Sequence, residues 1–118
     1  MSIKRGEIWI VDLTTNSKAD EINKDRRCVV VNDDDIGVLP LKMVVPLTKW
    51  KDRYEIAPWH IPIDVSPSNG LTLKSSADTF QVRSISEARF IKKVGYLTEG
   101  DLDRIKHGLC ICLCIDEK

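Results

Sequence analysis

Short runs rich in β-branched and aromatic residues recur along most of the chain, and few folds can accommodate so many of them. The strongest are EIWIVDL (7–13), CVVVN (28–32), LKMVVPLT (41–48) and DTFQVRSI (78–85). Runs that alternate between apolar and polar residues, or stay apolar throughout, predict β-strands separated by turns. Weaker candidates are HIPIDV (60–65) and LTLK (71–74). Pro46 indicates an edge strand or a bulge, because proline has no N–H to donate.

Helical patterns appear only after these runs. SEARFIKKV (86–94) predicts a short helix with Ser86 as its N-cap. TEGDLDRIKHGL (98–109) predicts a second helix, in which Thr98 and Asp101 form a capping box. Gly108 favours an end to this helix, so CICLCID (110–116) is either its extension or a last strand. The order of elements predicts a mainly β domain with α additions, a small antiparallel β-barrel followed by helices.

Composition restricts where such a domain can work. Its 118 residues, 42% hydrophobic and 31% charged, suit one domain with its own core. No apolar run approaches the length that a membrane span needs. The start, MSIKRGEIWIVDL, lacks the long apolar region and cleavage site of a secretion signal. We therefore expect a single domain over residues 1–118 that works in the cytoplasm, with no membrane partner.

The net charge is zero, from 18 Lys and Arg against 18 Asp and Glu, which argues against a general binder of polyanions. The charges are nevertheless unevenly distributed. Residues 37–93 contain nine cations and five anions, whereas the rest of the chain contains nine and thirteen. This basic middle segment could meet phosphate groups, although a mixed, solvated surface is the commoner outcome of so small a surplus.

Four cysteines are present, and three of them form the run CICLC. Disulfides are rare in a cytosolic protein. On a strand, Cys110, Cys112 and Cys114 would share one face and could suggest a metal site. Zinc ligands usually come as separated pairs, however, and no second pair accompanies them. We interpret all four, including Cys28, as small core residues and predict neither a metal nor a cofactor.

Few residues offer conventional catalytic chemistry. The two histidines are His60, at the start of a predicted strand, and His107, in the last predicted helix. A structural role beside the helix dipole is the simpler interpretation of His107, whereas His60 could titrate near neutral pH. The chain has no glycine-rich phosphate loop and no HExxH motif. The aspartates at 33–35 are contiguous, which is typical of a solvated turn.

Arginine and hydroxyl groups remain. If the substrate were RNA, its own 2′-OH could attack the neighbouring phosphate, and the protein would only have to align the groups and stabilise the developing charge. A guanidinium suits that task. Arg26 precedes one predicted strand and Thr48 ends another, so antiparallel pairing could bring them together. The residues alone favour a plainer interpretation, in which Arg26 pairs with a loop carboxylate and Thr48 merely ends its strand.

Four segments follow the order and spacing of one family. They are KRGEIWIVDL, a Glu-x4-Arg pattern followed by CVVVND, then MVVPLT, and finally FQVRSISEARFIKKVGYLTEGDL. Together they resemble the MazF/PemK/Kid toxins, from Lys4 to about Leu113. The resemblance implies an SH3-like barrel that forms homodimers and a metal-independent endoribonuclease acting on single-stranded RNA. It also implies 2′,3′-cyclic phosphate and 5′-OH products, and inhibition by a cognate antitoxin through which DNA is contacted only indirectly.

The resemblance assigns roles residue by residue. The family's essential arginine falls on Arg26, and its essential threonine or serine falls on Thr48. Its loop glutamate falls on Glu21 and the glutamine of its QVRS segment on Gln81, both as RNA contacts. Because the pKa of arginine exceeds about 12, we expect Arg26 to act first by electrostatic stabilisation.

The sequence departs from the family pattern in three places. Arg27 stands where the family usually has proline, so either arginine could be the essential one, although the spacing from Glu21 favours Arg26. Alternation sends Arg27 to the opposite face of the strand, where we expect a structural role or an auxiliary RNA contact. Phe80 replaces an acidic or polar residue, and the predicted loop 14–25 has no glycine.

Further RNA contacts are predicted from residue type and position. Lys49 and Arg83 are candidate phosphate contacts. Trp50, Tyr54 and Trp59 are candidates for stacking on bases. We expect Trp50, which stands between two lysines, to be more exposed than Trp59, which could equally pack in the core.

Two other functions remain open at this point. One is a gyrase-binding poison like CcdB, which has a related barrel but relies on a C-terminal Trp-Gly-Ile, whereas this chain ends in CIDEK. The other is a non-catalytic SH3-like barrel that binds RNA or a peptide, which needs only the basic segment and the aromatic residues.

Overall fold

The computed structural model describes residues 2–14 and 24–117. Within these ranges the elements are β1 (Glu7–Asp12), β2 (Asp25–Val30), β3 (Leu41–Lys49), β4 (His60–Ile63), β5 (Ser75–Asp78), β6 (Arg83–Ser86), β7 (Phe90–Tyr96) and α1 (Glu99–Leu113). Short 3-10 turns lie at Asp52–Ile56, Thr79–Gln81 and Glu87–Arg89. No helix in the described part of the chain has the length and apolar character to cross a membrane.

The strands form one antiparallel sheet in the order β4-β5-β3-β2-β1-β7, and β6 pairs with the first half of β3. Over the described ranges the end strands β4 and β7 are not paired with each other, so the sheet is not closed into a continuous barrel. The predicted class, mainly β with antiparallel strands and a C-terminal helix, is confirmed.

Buried apolar side chains cover both faces of the sheet. The first cluster includes residues of α1 and comprises Ile8, Val29, Val31, Val45, Leu47, Ile61, Ile63, Leu71, Ala77, Leu97, Leu102 and Ile105. The second comprises Ile3, Trp9, Val11, Leu13, Cys28, Val30, Val44, Ile85 and Phe90. Strand β2 alternates between the two clusters, which explains why its apolar run is continuous rather than alternating.

Pro46 lies in an interior strand, not at an edge as the sequence suggested. On one side, β3 pairs with β2, and Pro46 faces Cys28. On the other side, β6 pairs with residues 41–44 of β3 and β5 pairs with residues 47–49. Within the described ranges, Pro46 therefore has no partner residue on the side of β5 and β6. The N–H that proline lacks removes no hydrogen bond between strands on that side.

The helix predicted over residues 86–94 is wrong. Ser86 does act as a cap, because its Oγ accepts a hydrogen bond from the Ala88 N–H, but the capped element is only the short turn Glu87–Arg89. From Phe90 the chain becomes β7 and pairs with β1. The Phe90 ring packs edge-on against Trp9, with ring centroids 5.8 Å apart. Tertiary packing has overridden a weak local helical pattern here.

The strand boundaries around residues 71–85 also differ from the prediction. LTLK is not a strand, and β5 is instead the polar segment Ser75–Asp78. The predicted run 78–85 is broken by the turn Thr79–Gln81 before β6 begins. The neighbouring strands β3 and β4 supply the partners that make a strand of SSAD, which its own composition does not favour.

Helix α1 starts as predicted and ends later. The Thr98 hydroxyl accepts a hydrogen bond from the Asp101 N–H at 3.2 Å, which caps the helix. The helix then runs through Gly108, which does not end it. A Cβ at this position would lie 2.9 Å from a Thr79 methyl carbon, so the glycine allows α1 to pack closely on the sheet. The helix ends at Cys114, which adopts the left-handed conformation that terminates many helices.

Because residues 110–113 are helical, the cysteines do not share a face as they would on a strand. Cys28 is buried, as predicted. The prediction of core positions is wrong for the others, since Cys114 is exposed and Cys110 and Cys112 are only half-buried. The Cys112 Sγ lies 3.5 Å from the Thr79 Oγ1, which links the end of α1 to the sheet.

Gly70 gives a test of the packing between the turn at 66–70 and β7. Its φ is +67°, and a Cβ there would lie 2.1 Å from the Val94 carbonyl oxygen. We expect Gly70→Ala to reduce the free energy of unfolding by about 3 kcal/mol, from left-handed strain and overpacking together. Gly37→Ala is the matched control, since Gly37 has φ +82° with open space around it. Equal losses in chemical denaturation of the two variants would contradict the predicted clash.

Candidate active site

Strand β2 presents its two arginines to opposite faces of the sheet. Arg26 pairs across from Val11 and Arg27 from Ile10, and the side chains alternate as predicted. The Arg26 side chain is half-buried on the face that also carries Cys28, whereas Arg27 is exposed. The residues that follow, Cys28 to Val30, are fully buried. Because Cys28 to Val30 are packed on both faces of the sheet, the backbone position of Arg26 at the start of this strand is fixed.

Strand β3 brings Thr48 to the same place. Cys28 faces Pro46 in the pairing of β2 with β3, and continuing this register by two residues sets Arg26 opposite Thr48. Directly opposed side chains have Cβ atoms roughly 4.5–5.5 Å apart. Both residues line a cleft of about 210 Å³, whose walls are Asp25, Arg26, Arg27, Leu47, Thr48, Lys49, Leu71, Thr72, Leu73 and Ser75. The proximity expected from antiparallel pairing is present.

Both residues carry a buried polar atom that no described residue satisfies. Among the described residues, the Arg26 Nε and the Thr48 Oγ1 have no hydrogen-bond partner. Leaving a buried polar group unpaired costs about 1–3 kcal/mol, and such groups are rare in native structures. The plainer interpretation, in which Arg26 pairs with a loop carboxylate, concerns Asp20 and Glu21, which lie outside the described residues. The arrangement is that of a site prepared for a ligand with hydrogen-bonding groups.

The predicted RNA contacts do not all lie together. Lys49 lies at the end of β3 and lines the cleft with Arg26 and Thr48. Trp50 lies instead in a second cavity of about 580 Å³, where it contacts Tyr54 edge-on at 5.7 Å and carries the Lys74 ammonium 4.9 Å from its ring centroid. Glu21 lies outside the described residues.

The expected exposure of the two tryptophans is reversed. Trp50 is half-buried, whereas Trp59 is exposed over 37% of its surface. The physical reason is the cover that Lys74 and Tyr54 give to Trp50. Sequence neighbours alone, two lysines, suggested the opposite.

Arg83 and Gln81 are engaged with the protein itself. The Arg83 guanidinium donates to the Leu13 carbonyl oxygen at 3.2 Å, and the Gln81 Nε2 donates to Asp78 Oδ2 at 3.0 Å. Arg83 and Arg26 both lie near Cys28. Burial raises the pKa of the Cys28 thiol to about 12, and these cations only partly offset it. The thiol therefore stays neutral and is not a nucleophile at physiological pH.

Sequence reasoning did not predict the contact of His60, which lines the cavity of Trp50, with Ser76 on β5. The His60 Nδ1 lies 2.8 Å from the Ser76 Oγ, and the His60 ring stacks on Tyr54 with centroids 3.8 Å apart. Burial lowers the pKa of His60; the charge of Asp78 opposes this and that of Arg53 adds to it. Ser76 faces Thr48 in the pairing of β3 with β5. If SSAD had been recognised as a strand, its alternation would have predicted that the polar residues Ser76 and Asp78 lie on one face.

The predicted absence of a metal site can be compared with the arrangement of possible ligands. Across residues 2–14 and 24–117, no group of three or more His, Cys, Asp or Glu side chains is placed to hold a metal ion. His107 is exposed and pairs with the Glu117 carboxylate at 2.6 Å, near the end of α1.

An antiparallel sheet with a C-terminal helix defines the fold class of this protein. A family model described as PemK-like, MazF-like toxin of type II toxin–antitoxin system matches residues 4–113. The chain belongs to this family.

Individual relatives agree with that assignment. The chain is 27% identical over 113 residues to Endoribonuclease MazF9 of Mycobacterium tuberculosis (strain ATCC 25618 / H37Rv), which covers 91% of this chain and 92% of the relative. A mycobacterial endoribonuclease solved in complex with its cognate antitoxin superposes with a TM-score of 0.75 at 14% identity, covering 99% of this chain and 100% of the other. MazF (Form-I) from Deinococcus radiodurans gives 0.71 at 16% identity, covering 93% and 94%.

Proposed function

We propose that this toxin is an endoribonuclease that cleaves single-stranded RNA without a metal ion. The observation that carries the proposal is a pair of buried groups with no partner among the described residues, the Arg26 Nε on β2 and the Thr48 Oγ1 on β3, in two residues that line one cleft. Membership of the PemK-like, MazF-like family supports it, as does the name of the Mycobacterium tuberculosis relative, an endoribonuclease.

In the proposed reaction RNA supplies its own nucleophile. The 2′-oxygen attacks the adjacent phosphorus and loses its proton, and the bond from phosphorus to the 5′-oxygen breaks as that oxygen gains a proton. The products end in a 2′,3′-cyclic phosphate and a 5′-OH. Arg26, which stays cationic because the pKa of arginine exceeds about 12, stabilises the negative charge on the phosphorane oxygens. The Thr48 hydroxyl adds a hydrogen bond and fixes the alignment.

RNA binding is proposed to extend from this cleft along the strand ends. Lys49 lies in the cleft and can pair with a neighbouring phosphate. Arg27 is exposed and also lines this cleft, so its proposed role is an auxiliary RNA contact. Arg83 holds the end of β1 through the Leu13 carbonyl oxygen, so its proposed role is to position the cleft. Glu21 keeps its proposed role as an RNA contact from the family resemblance alone.

The proposed partner besides RNA is a cognate antitoxin, and the proposed assembly is a homodimer in the cytoplasm. The mycobacterial endoribonuclease that was solved in complex with its cognate antitoxin supports this partner. Contact with DNA would be indirect, through the antitoxin. The β2–β3 connection has exposed apolar residues, including Val38 and Leu39, which an antitoxin or a second copy of the chain could cover.

The 2′-OH requirement gives a direct test. In EDTA, we expect the purified protein to cleave a single-stranded RNA, and to leave uncut the same strand with 2′-deoxyribose at the residue on the 5′ side of the cut. The measurement is product analysis by gel and mass spectrometry. The mass of the 5′ fragment distinguishes a cyclic phosphate from a linear one. A DNA oligonucleotide of the same sequence is the control. Cleavage of the deoxy-substituted strand at the same bond would contradict the proposed nucleophile.

A further inference from the structure

Asp78 carries a third buried polar atom that the proposed reaction does not use. Its Oδ1 has no hydrogen-bond partner among the described residues, and only 8% of the residue's surface is exposed. Its Oδ2 accepts the hydrogen bond from Gln81 at 3.0 Å. The hydrogen bond from Gln81 to Oδ2 fixes the orientation of the carboxylate, but Oδ1 receives no hydrogen bond from a described residue.

The strand register places this carboxylate one diagonal position from Thr48, outside the residues that line the cleft itself. Thr48 faces Ser76, and Asp78 stands two residues further along β5, on the same face of the sheet. Diagonal neighbours of this kind are roughly 7–8 Å apart. The three buried side-chain atoms that lack a partner in the described part of the chain thus belong to three neighbouring strands, with Arg26 on β2, Thr48 on β3 and Asp78 on β5.

The surroundings of Asp78 give no structural explanation for its charge. Within the described ranges no cation lies at ion-pair distance from it. His60 faces it across β4 and β5, but the His60 Nδ1 is directed to the Ser76 hydroxyl. Burying a carboxylate with neither a cation nor a full set of donors is costly. The missing donor is therefore expected from a ligand.

We propose that Asp78 is a specificity-determining residue, whose Oδ1 accepts a hydrogen bond from the exocyclic amine of a base next to the scissile phosphate. This inference rests on the proposed ribonuclease function. An ionised carboxylate can only accept hydrogen bonds, and carboxylates accept from the cytosine N4 amine in nucleic-acid recognition. Adenine, cytosine and guanine carry such an amine. Uracil carries carbonyl oxygens on either side of its ring N–H, and the carboxylate repels them.

Asp78→Asn tests this assignment with almost no change of shape. The Gln81 amide will keep the remaining side-chain oxygen as its acceptor, so the new NH₂ group replaces Oδ1 and turns an acceptor into a donor. We expect one position of the cleavage motif, fixed as an amino-bearing base in the wild type, to shift to a base with a carbonyl there, while the same bond is cut. The measurement is sequencing of cleavage ends from a randomised RNA pool.

Asp64→Asn is the matched control, because Asp64 is an exposed carboxylate in the turn after β4. It should leave the motif and the rate unchanged. An active Asp78→Asn protein with the wild-type motif would overturn the inference while leaving the ribonuclease function intact. A wild-type protein that cuts no RNA would overturn the proposed function and this inference together.

A second measurement uses the wild-type protein and does not depend on the folding of a variant. Each amino-bearing base of the mapped motif is replaced in turn by its counterpart without the amine, such as uracil for cytosine or inosine for guanine. A site built to accept a hydrogen bond rejects a substrate that lacks the donor strongly. We expect one replacement to lower kcat/KM by about 10²-fold or more. Uniformly small effects at every position would overturn the inference.

Discussion

Replacing Arg26 with alanine is expected to lower the single-turnover rate of RNA cleavage by about 10³-fold or more. The range comes from the loss of preorganised charge stabilisation at a transferring phosphoryl group. The folded state should not suffer, because the substitution removes a buried Nε that has no partner among the described residues. Circular dichroism and thermal unfolding, recorded beside the kinetics, should give a melting temperature no lower than that of the wild type.

Arg27→Ala is the matched control for this result. It removes the same charge from the adjacent residue, which also lines the cleft but whose side chain is exposed, whereas that of Arg26 is half-buried. We expect its rate to remain within about tenfold of the wild type, which corresponds to the loss of a surface phosphate contact. If Arg27→Ala abolished cleavage and Arg26→Ala did not, the choice of essential arginine would be wrong, although the proposed chemistry would survive.

Replacing Thr48 with valine is expected to lower the same rate by about 10²-fold, equivalent to about 2.7 kcal/mol. Valine keeps the shape and the strand preference of threonine and removes only the hydroxyl. In the free protein that hydroxyl is buried and unpaired in the described surroundings, so its loss should stabilise the fold by about 1 kcal/mol. A variant that is more stable and less active is the signature expected when a polar group is retained for function.

Thr48→Ser separates the hydroxyl from the methyl group. It should restore most of the rate that Thr48→Val loses, because the hydrogen bond can form again. Stopped-flow cleavage of a fluorescent RNA and urea unfolding provide the two measurements. Equal losses of activity in the serine and valine variants would instead assign the effect to packing of the strand end.

The presence of Arg26 and Thr48 in one cleft was predictable from the sequence, because it depends only on the order and direction of two strands. Two apolar runs predict two strands, antiparallel pairing brings the start of one to the end of the next, and alternation assigns each arginine to a face. The family resemblance supplied the reason to prefer a catalytic interpretation. The unpartnered atoms, which distinguish the site physically, depend on burial from both faces and could not be predicted from the sequence.

The elements that were mispredicted are those decided by distant neighbours. SSAD becomes β5 because β3 and β4 flank it, and only then does Ser76 face Thr48. Residues 90–94 become a strand because β1 offers an edge and Trp9 a surface for Phe90. Gly108 remains within α1 because the sheet approaches it closely. These contacts join residues that are distant in the sequence, so the structural preference of a short segment cannot predict them.

The central claim is that Arg26 drives cleavage of RNA by its own 2′-OH, and mapping of cleavage ends on a long RNA tests it most directly. With EDTA present, wild-type protein should produce a defined set of ends carrying 2′,3′-cyclic phosphate and 5′-OH, and Arg26→Ala protein should produce none of them above background. The same ends at comparable yield from both proteins, or ends carrying a 5′-phosphate, would contradict the claim.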